Sequence, residues 1–74
     1  MKENEIVKTI MKEKGVTPKM LAQRLGEKHN TILGRLAREK WTVGVLQETL
    51  RVLDYKVIIV PSDEREKKGN YTID

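Results

Sequence analysis

The sequence predicts an all-α fold: four short helices, at about 3–14, 18–25, 28–39 and 43–53, followed by a single C-terminal β-strand at about 55–60. Three observations predict it. Apolar residues recur at helical spacing in four consecutive windows up to Leu53. Glycine, or Thr with or without a following Pro, punctuates those windows where helices stop and start. After Leu53 the helical period gives way to "YKVIIVP", which is β-branched and aromatic.

In the first helix Ile6, Val7, Ile10 and Met11 form the apolar stripe, with Lys and Glu between them. Asn4 or Glu3 is the expected N-cap. Lys12 and Lys14 suit the carboxyl end of the helix dipole, and Gly15 is a typical stop. Thr17-Pro18 opens the second helix, a capping hydroxyl followed by proline at the first helical position. Its apolar side is Met20, Leu21, Ala22 and Leu25, and Gly26 closes it in the left-handed conformation. The third helix carries Ile32, Leu33, Leu36 and Ala37 as its buried stripe, with Lys28, Thr31, Arg35 and Arg38 turned largely away. Thr42 caps the fourth, whose inner positions are Val43, Val45, Leu46, Leu50 and Leu53, and Asp54 ends it.

Tyr55 to Val60 reads as one strand stopped by Pro61. A lone apolar strand cannot satisfy its own backbone groups or cover its edges. "NYTI", residues 70–73, is a candidate hairpin partner, but the intervening "SDEREKKG" is long and polar for a hairpin loop. The simpler expectation is that two chains pair their strands, with Tyr55, Val57, Ile58, Ile59 and Val60 as the dimerisation residues. Residues 1–61 then form the working domain. Residues 62–74 form a polar tail, either a disordered terminus or a weak second strand.

Bulk properties narrow the class. With 74 residues the chain holds one domain with a small core, which gains from a staple. There is no cysteine and one histidine, so a disulfide and a multi-His metal site are excluded. Oligomerisation is the staple left, and no cofactor or metal is expected. "MKENEIVKTI" lacks a signal-peptide apolar run, and no segment approaches a membrane span; a soluble, cytoplasmic protein without membrane contact is expected. Residues 1–40 carry ten Lys/Arg against five Asp/Glu, and residues 41–74 carry five against six. The basic half points to an anionic partner.

Helices of about eight residues do not fold alone, so the second and third must pack on each other and on their neighbours. Small Ala22 permits close approach, Gly26 the sharp turn, and Ile32 fills the space opposite. This is the geometry of a helix-turn-helix, whose second helix stands proud of the body. A proud helix with a polar, cationic start suits a major groove about 12 Å wide. His29 and Asn30 are suited to base edges, Asn pairing with adenine, and Lys28 reaches guanine or a phosphate. Arg35, Arg38 and Lys40 are placed to grip the backbone. Trp41 reads first as core wedged between the third and fourth helices, and second as an indole N–H donor to a phosphate.

"LAQRLGEKHNTILGRL" resembles the lambda-repressor-like helix-turn-helix family, of Cro/repressor or XRE type, through Leu21-Ala22, Gly26, Ile32 and Leu36. The resemblance covers about residues 5–54. "KWTVGVLQETLRVLDYKVIIV" extends it toward short members found in phages and mobile elements, in which a strand follows the last helix. It implies binding of a palindromic double-stranded DNA operator by a homodimer, and usually transcriptional repression. It implies that His29, Asn30 and Gly34 meet bases, that Lys28 and Thr31 lie near phosphates, and that Lys40 and Trp41 occupy the loop that touches the backbone. Pro18 stands where the family often carries a phosphate-binding glutamine, a contact left to Lys19 or Thr17. Glu27 lies beside the groove, where it repels phosphate.

A second reading assigns the fold to protein interaction, as in an antitoxin or antirepressor, with a toxin or antirepressor as partner and the apolar strand as working surface. An enzyme is not expected. The sequence holds no nucleophile–base pair, glycine-rich phosphate loop or metal cluster, and its carboxylates are scattered among cations.

Overall fold

In the computed structural model, residues 1–62 and 69–73 are described. Four helices, α1 (Glu3–Lys14), α2 (Pro18–Leu25), α3 (His29–Leu36) and α4 (Val43–Arg51), precede two strands, β1 (Val57–Ile59) and β2 (Tyr71–Ile73). The helical body is as the periodicity predicts. None of these helices is long and apolar enough to cross a membrane.

The two N-terminal helices end alike. Gly15 and Gly26 both take left-handed backbone (φ 64° and 68°). The next N–H in each case reaches back five residues, Val16 to the Met11 carbonyl and Glu27 to the Ala22 carbonyl, both at 2.9 Å. Thr17 caps α2 by accepting from the Met20 N–H (3.2 Å), and Thr42 caps α4 by accepting from Val45 (3.3 Å). The core is Val7, Ile10, Met11, Val16, Leu21, Ala22, Ile32, Leu36, Leu50 and Leu53, drawn from all four helices, the α1–α2 turn and the turn after α4. Met20, Leu33, Ala37 and Val43, expected in the core, are exposed instead, because each sits at the margin of its stripe and turns toward solvent.

The start of α1 differs from expectation. Its N-cap is Lys2, and both Glu3 and Asn4 lie inside the helix and serve another element. The Glu3 N–H donates to the Glu39 carbonyl (3.1 Å). Buried Asn4 donates through Nδ2 to the Leu36 carbonyl (3.1 Å), and the Glu3 carboxylate accepts from the Trp41 backbone N–H (2.8 Å). α3 stops at Leu36 and not at 39: the Arg38 N–H turns back to the Arg35 carbonyl (3.0 Å) in a tighter last turn, and the Leu36 carbonyl, which a longer helix would pair with the Lys40 N–H, accepts from Asn4 instead. The Trp41 indole donates to the Arg38 carbonyl (3.0 Å) beyond the helix end.

The C-terminal region corrects two further expectations. Helix α4 ends at Arg51, and Asp54 takes left-handed backbone (φ 63°). The Tyr55 N–H then donates to the Leu50 carbonyl (2.9 Å), so Tyr55 belongs to the helix-ending turn and the strand starts at Val57. Nor is the strand single. β1 pairs antiparallel with β2, Val57 opposite Ile73, Ile58 opposite Thr72 and Ile59 opposite Tyr71. The long connection is no obstacle, since each doubling of loop length costs only about 0.6 kcal/mol in closure entropy. Gln47 on α4 ties the hairpin down by donating from Nε2 to the Ile73 carbonyl (3.1 Å). Of the two alternatives for residues 62–74, the second strand is the one present, at Tyr71–Ile73; residues 63–68 and 74 lie outside the described residues.

Replacing Asn4 by Ala leaves the buried Leu36 carbonyl unpaired and should cost about 1–3 kcal/mol of unfolding free energy in urea. Trp41, the only tryptophan, reports the transition by fluorescence. Replacing Gln47 by Ala should speed amide exchange at 71–73 while leaving the helical transition in place.

Candidate functional site

Helix α3 opens with Lys28 as N-cap, in extended backbone and with no side-chain cap bond. The N–H groups of its first turn therefore face outward without a side-chain acceptor. Lys28, His29, Asn30 and Thr31 are all exposed. Ile32 and Leu36 point into the core. Asn30 and Gly34, four residues apart, share the outer line of the helix.

Beside that line runs a cleft of about 560 Å³. Its α3 wall is Asn30, Thr31, Gly34 and Arg35; Arg38, Lys40 and Trp41 follow from the α3–α4 connection; Thr42 and Val45 close it from α4. Three cations and no carboxylate line it. The amino end of α4 also opens on it, through its cap Thr42, and adds the positive end of a helix dipole. Arg35 is held from the side by Glu27 (Nη2 to Oε1 3.6 Å), with Nη1 buried and without a hydrogen-bond partner among the described residues. An anion entering the cleft would meet convergent donors on a rigid frame.

The residues expected at a site are only partly brought together. Asn30, Thr31, Gly34, Arg35, Arg38, Lys40 and Trp41 share the cleft. Lys28 and His29 stand at the open start of α3. Thr17 and Lys19 begin α2, and their neighbour Pro18 lines a separate groove on the Leu33–Ala37 flank of α3. The Thr17 hydroxyl oxygen is engaged as a cap. The Trp41 indole N–H is committed to the Arg38 carbonyl, so it is not free to donate to a ligand; the ring packs against the core. Of the strand residues, Val57 packs against the helical core, whereas Tyr55, Ile58, Ile59 and Val60 are exposed. Thr42 and Val45 were not expected at the site. The signal was available, since a capping Thr beside Lys40 places a helix amino end next to a cation.

Gly34 has no structural duty within the chain. A Cβ built on it meets nothing within 4 Å. Replacing Gly34 by Ala should therefore raise unfolding free energy by about 1 kcal/mol, measured by urea denaturation, because the helix gains propensity and nothing is displaced.

Compared with known proteins, the chain matches no family model, no curated protein and no solved structure.

Proposed function

We propose that the chain is a sequence-specific double-stranded DNA-binding protein that works as a homodimer, probing the major groove with α3 of an α2–α3 helix-turn-helix, and that it represses transcription in the manner of short phage and mobile-element regulators. One observation carries the reading. The outer line of α3, Asn30 and Gly34, runs alongside a cleft with three cations and no carboxylate. Those are the two things a duplex requires side by side, a reading edge and a phosphate clamp. Asn30 pairs with an adenine edge, with His29 and Lys28 at neighbouring bases. Gly34 lets the backbone of α3 come close to the groove floor. Arg35, Arg38 and Lys40, aided by the Thr31 hydroxyl and the α4 amino end, hold the phosphates.

The dimer rests on the sheet. β2 covers one edge of β1, and the other has no strand partner among the described residues. Ile58, Ile59, Val60 and Tyr71 are each about half exposed or more. Joining two such edges across a dyad satisfies their free backbone groups, shelters part of this apolar surface and sets two α3 helices toward successive major grooves, about 34 Å apart. The same exposed apolar strand favours the second reading, a protein-interaction module of antitoxin or antirepressor kind, whose binding would be insensitive to salt.

Selection of bound sequences from a random duplex pool at near-physiological salt tests both. A palindrome is the expected enrichment; no enrichment supports the protein-interaction reading. Asn30→Ala should cost about 1–3 kcal/mol on the selected site and relax preference at one position per half-site, whereas an equal loss on every sequence would show that Asn30 does not read bases. Arg38→Ala should weaken all duplexes alike and lower the salt slope by about one. Gly34→Ala should bind the selected site more weakly although the protein is more stable. Sedimentation as a monomer at concentrations that bind DNA would sink the dimer.

A further inference from the structure

The opposite flank of α3 carries a second depression of different chemistry. It is an open groove of about 460 Å³. Buried Met11, Val16 and Leu36 form its floor, and Leu33 of α3 and Ala37, its C-cap, stand along one side. Leu33 is 44% exposed. On the α1 side the rim is Lys8 and Lys12, one helical turn apart, neither with a carboxylate within ion-pair reach among the described residues. No acidic residue lines the groove. Its apolar floor offers phosphate nothing, so it is not an extension of the cationic cleft.

We propose that this groove docks an amphipathic helix of a partner protein, with apolar side chains on the Met11–Val16–Leu36 floor and Asp or Glu side chains meeting Lys8 and Lys12. The occupant is a helix because the groove is walled by α1, α3 and the start of α2 and exposes no strand edge. An extended segment would leave its backbone groups unpaired there, whereas a helix brings its own satisfied. The occupant is acidic because the rim is doubly cationic and uncompensated. A second copy of this chain fits poorly: residues 1–40 carry net charge +5, and two such surfaces repel. Leu33 lies on the same helix as Asn30 and Gly34, and Ala37 caps its end, so a seated partner stands where the wall of a major groove would pass. This last step rests on the DNA reading: the partner and the duplex exclude one another.

The test titrates the labelled protein, followed by amide chemical shifts, with two synthetic helical peptides. Both carry Leu at i, i+3, i+4 and i+7; one has Glu at the flanking positions and the other Lys. Saturable shifts at Val16, Leu33, Leu36 and Ala37 with the Glu peptide alone are expected. Lys8→Glu with Lys12→Glu should weaken binding about tenfold or more. The exposed-site variant Leu33→Gln should weaken it without loss of fold. Equal response to both peptides, shifts confined to the sheet, or the same shifts on concentrating the protein without peptide would overturn the proposal. A second arm adds the Glu peptide to protein bound to a fluorescent duplex of the selected site. Release of the duplex supports exclusion, and a ternary complex overturns it. Peptide binding by a protein with no affinity for any duplex would remove the DNA reading and leave the docking groove standing.

Discussion

The architecture depends on a clasp between the amino end of α1 and the segment that follows α3. A helix start has N–H groups without acceptors, and a helix end has carbonyls without donors. Here each supplies the other. Glu3 N–H meets the Glu39 carbonyl, Asn4 meets the Leu36 carbonyl, and the Glu3 carboxylate receives the Trp41 N–H. These bonds join positions more than thirty residues apart in sequence, and Asn4 makes its bond buried, where an unmade one is expensive. The clasp ends α3 at Leu36 and turns the chain sharply. It thereby delivers Arg38, Lys40 and Trp41 to the cleft instead of spacing them along a longer helix. The shape of the candidate site is thus set in part by Glu3 and Asn4, which do not line it.

What the sequence made legible follows the range of the forces involved. The end of α1 and both ends of α2 are readable because their signals are local: Thr17-Pro18, Gly15 and Gly26 act within a turn of where they stand, whereas the cap of α1 is not. The end of α3 was not, because competition for its last carbonyls comes from the far end of the chain. The hairpin with residues 70–73 is the less favoured of the two pairings the sequence offers, for a related reason. The polar connection after Val60 argued against return, but loop length weighs little once Gln47 holds Ile73 and Val57 sits on the core. The apolar stripes were read too wide. Leu33 and Val43 are next to true core positions in sequence and at the margin of the face in space.

The candidate site was legible to a similar degree and for similar reasons. A run of cations and amides at and after a proud helix marks a surface, and Asn30, Thr31, Gly34, Arg35, Arg38 and Lys40 do share one. The reach of that surface was not legible. It turns toward α4 and takes in Thr42 and Val45, and leaves Thr17 and Lys19 outside. Which way α3 leans depends on the clasp, and no local pattern encodes it. Nor does composition show that Glu27 already restrains one of the three cations.

Folding and function separate most clearly at residues the fold does not need. A domain of this size is stable by something on the order of 5 kcal/mol, so each departure from the best sequence matters. Yet α3 carries a helix-weakening glycine with open space around it, and next to it a leucine half in water. The sheet contributes Val57 to the helical core and leaves Ile58, Ile59 and Tyr71 outside. These choices weaken or fail to strengthen the isolated chain. Under the DNA, docking and dimer proposals they would become favourable on contact with another surface: one close at Gly34, one over Leu33, and one continuing or capping the strands. The three positions face three directions, and their surroundings differ in kind, cationic at the cleft, apolar with a lysine rim at the groove, apolar with a free backbone edge at the sheet. A chain this small therefore has the chemistry for three dissimilar contacts arranged around a single short helix and its support.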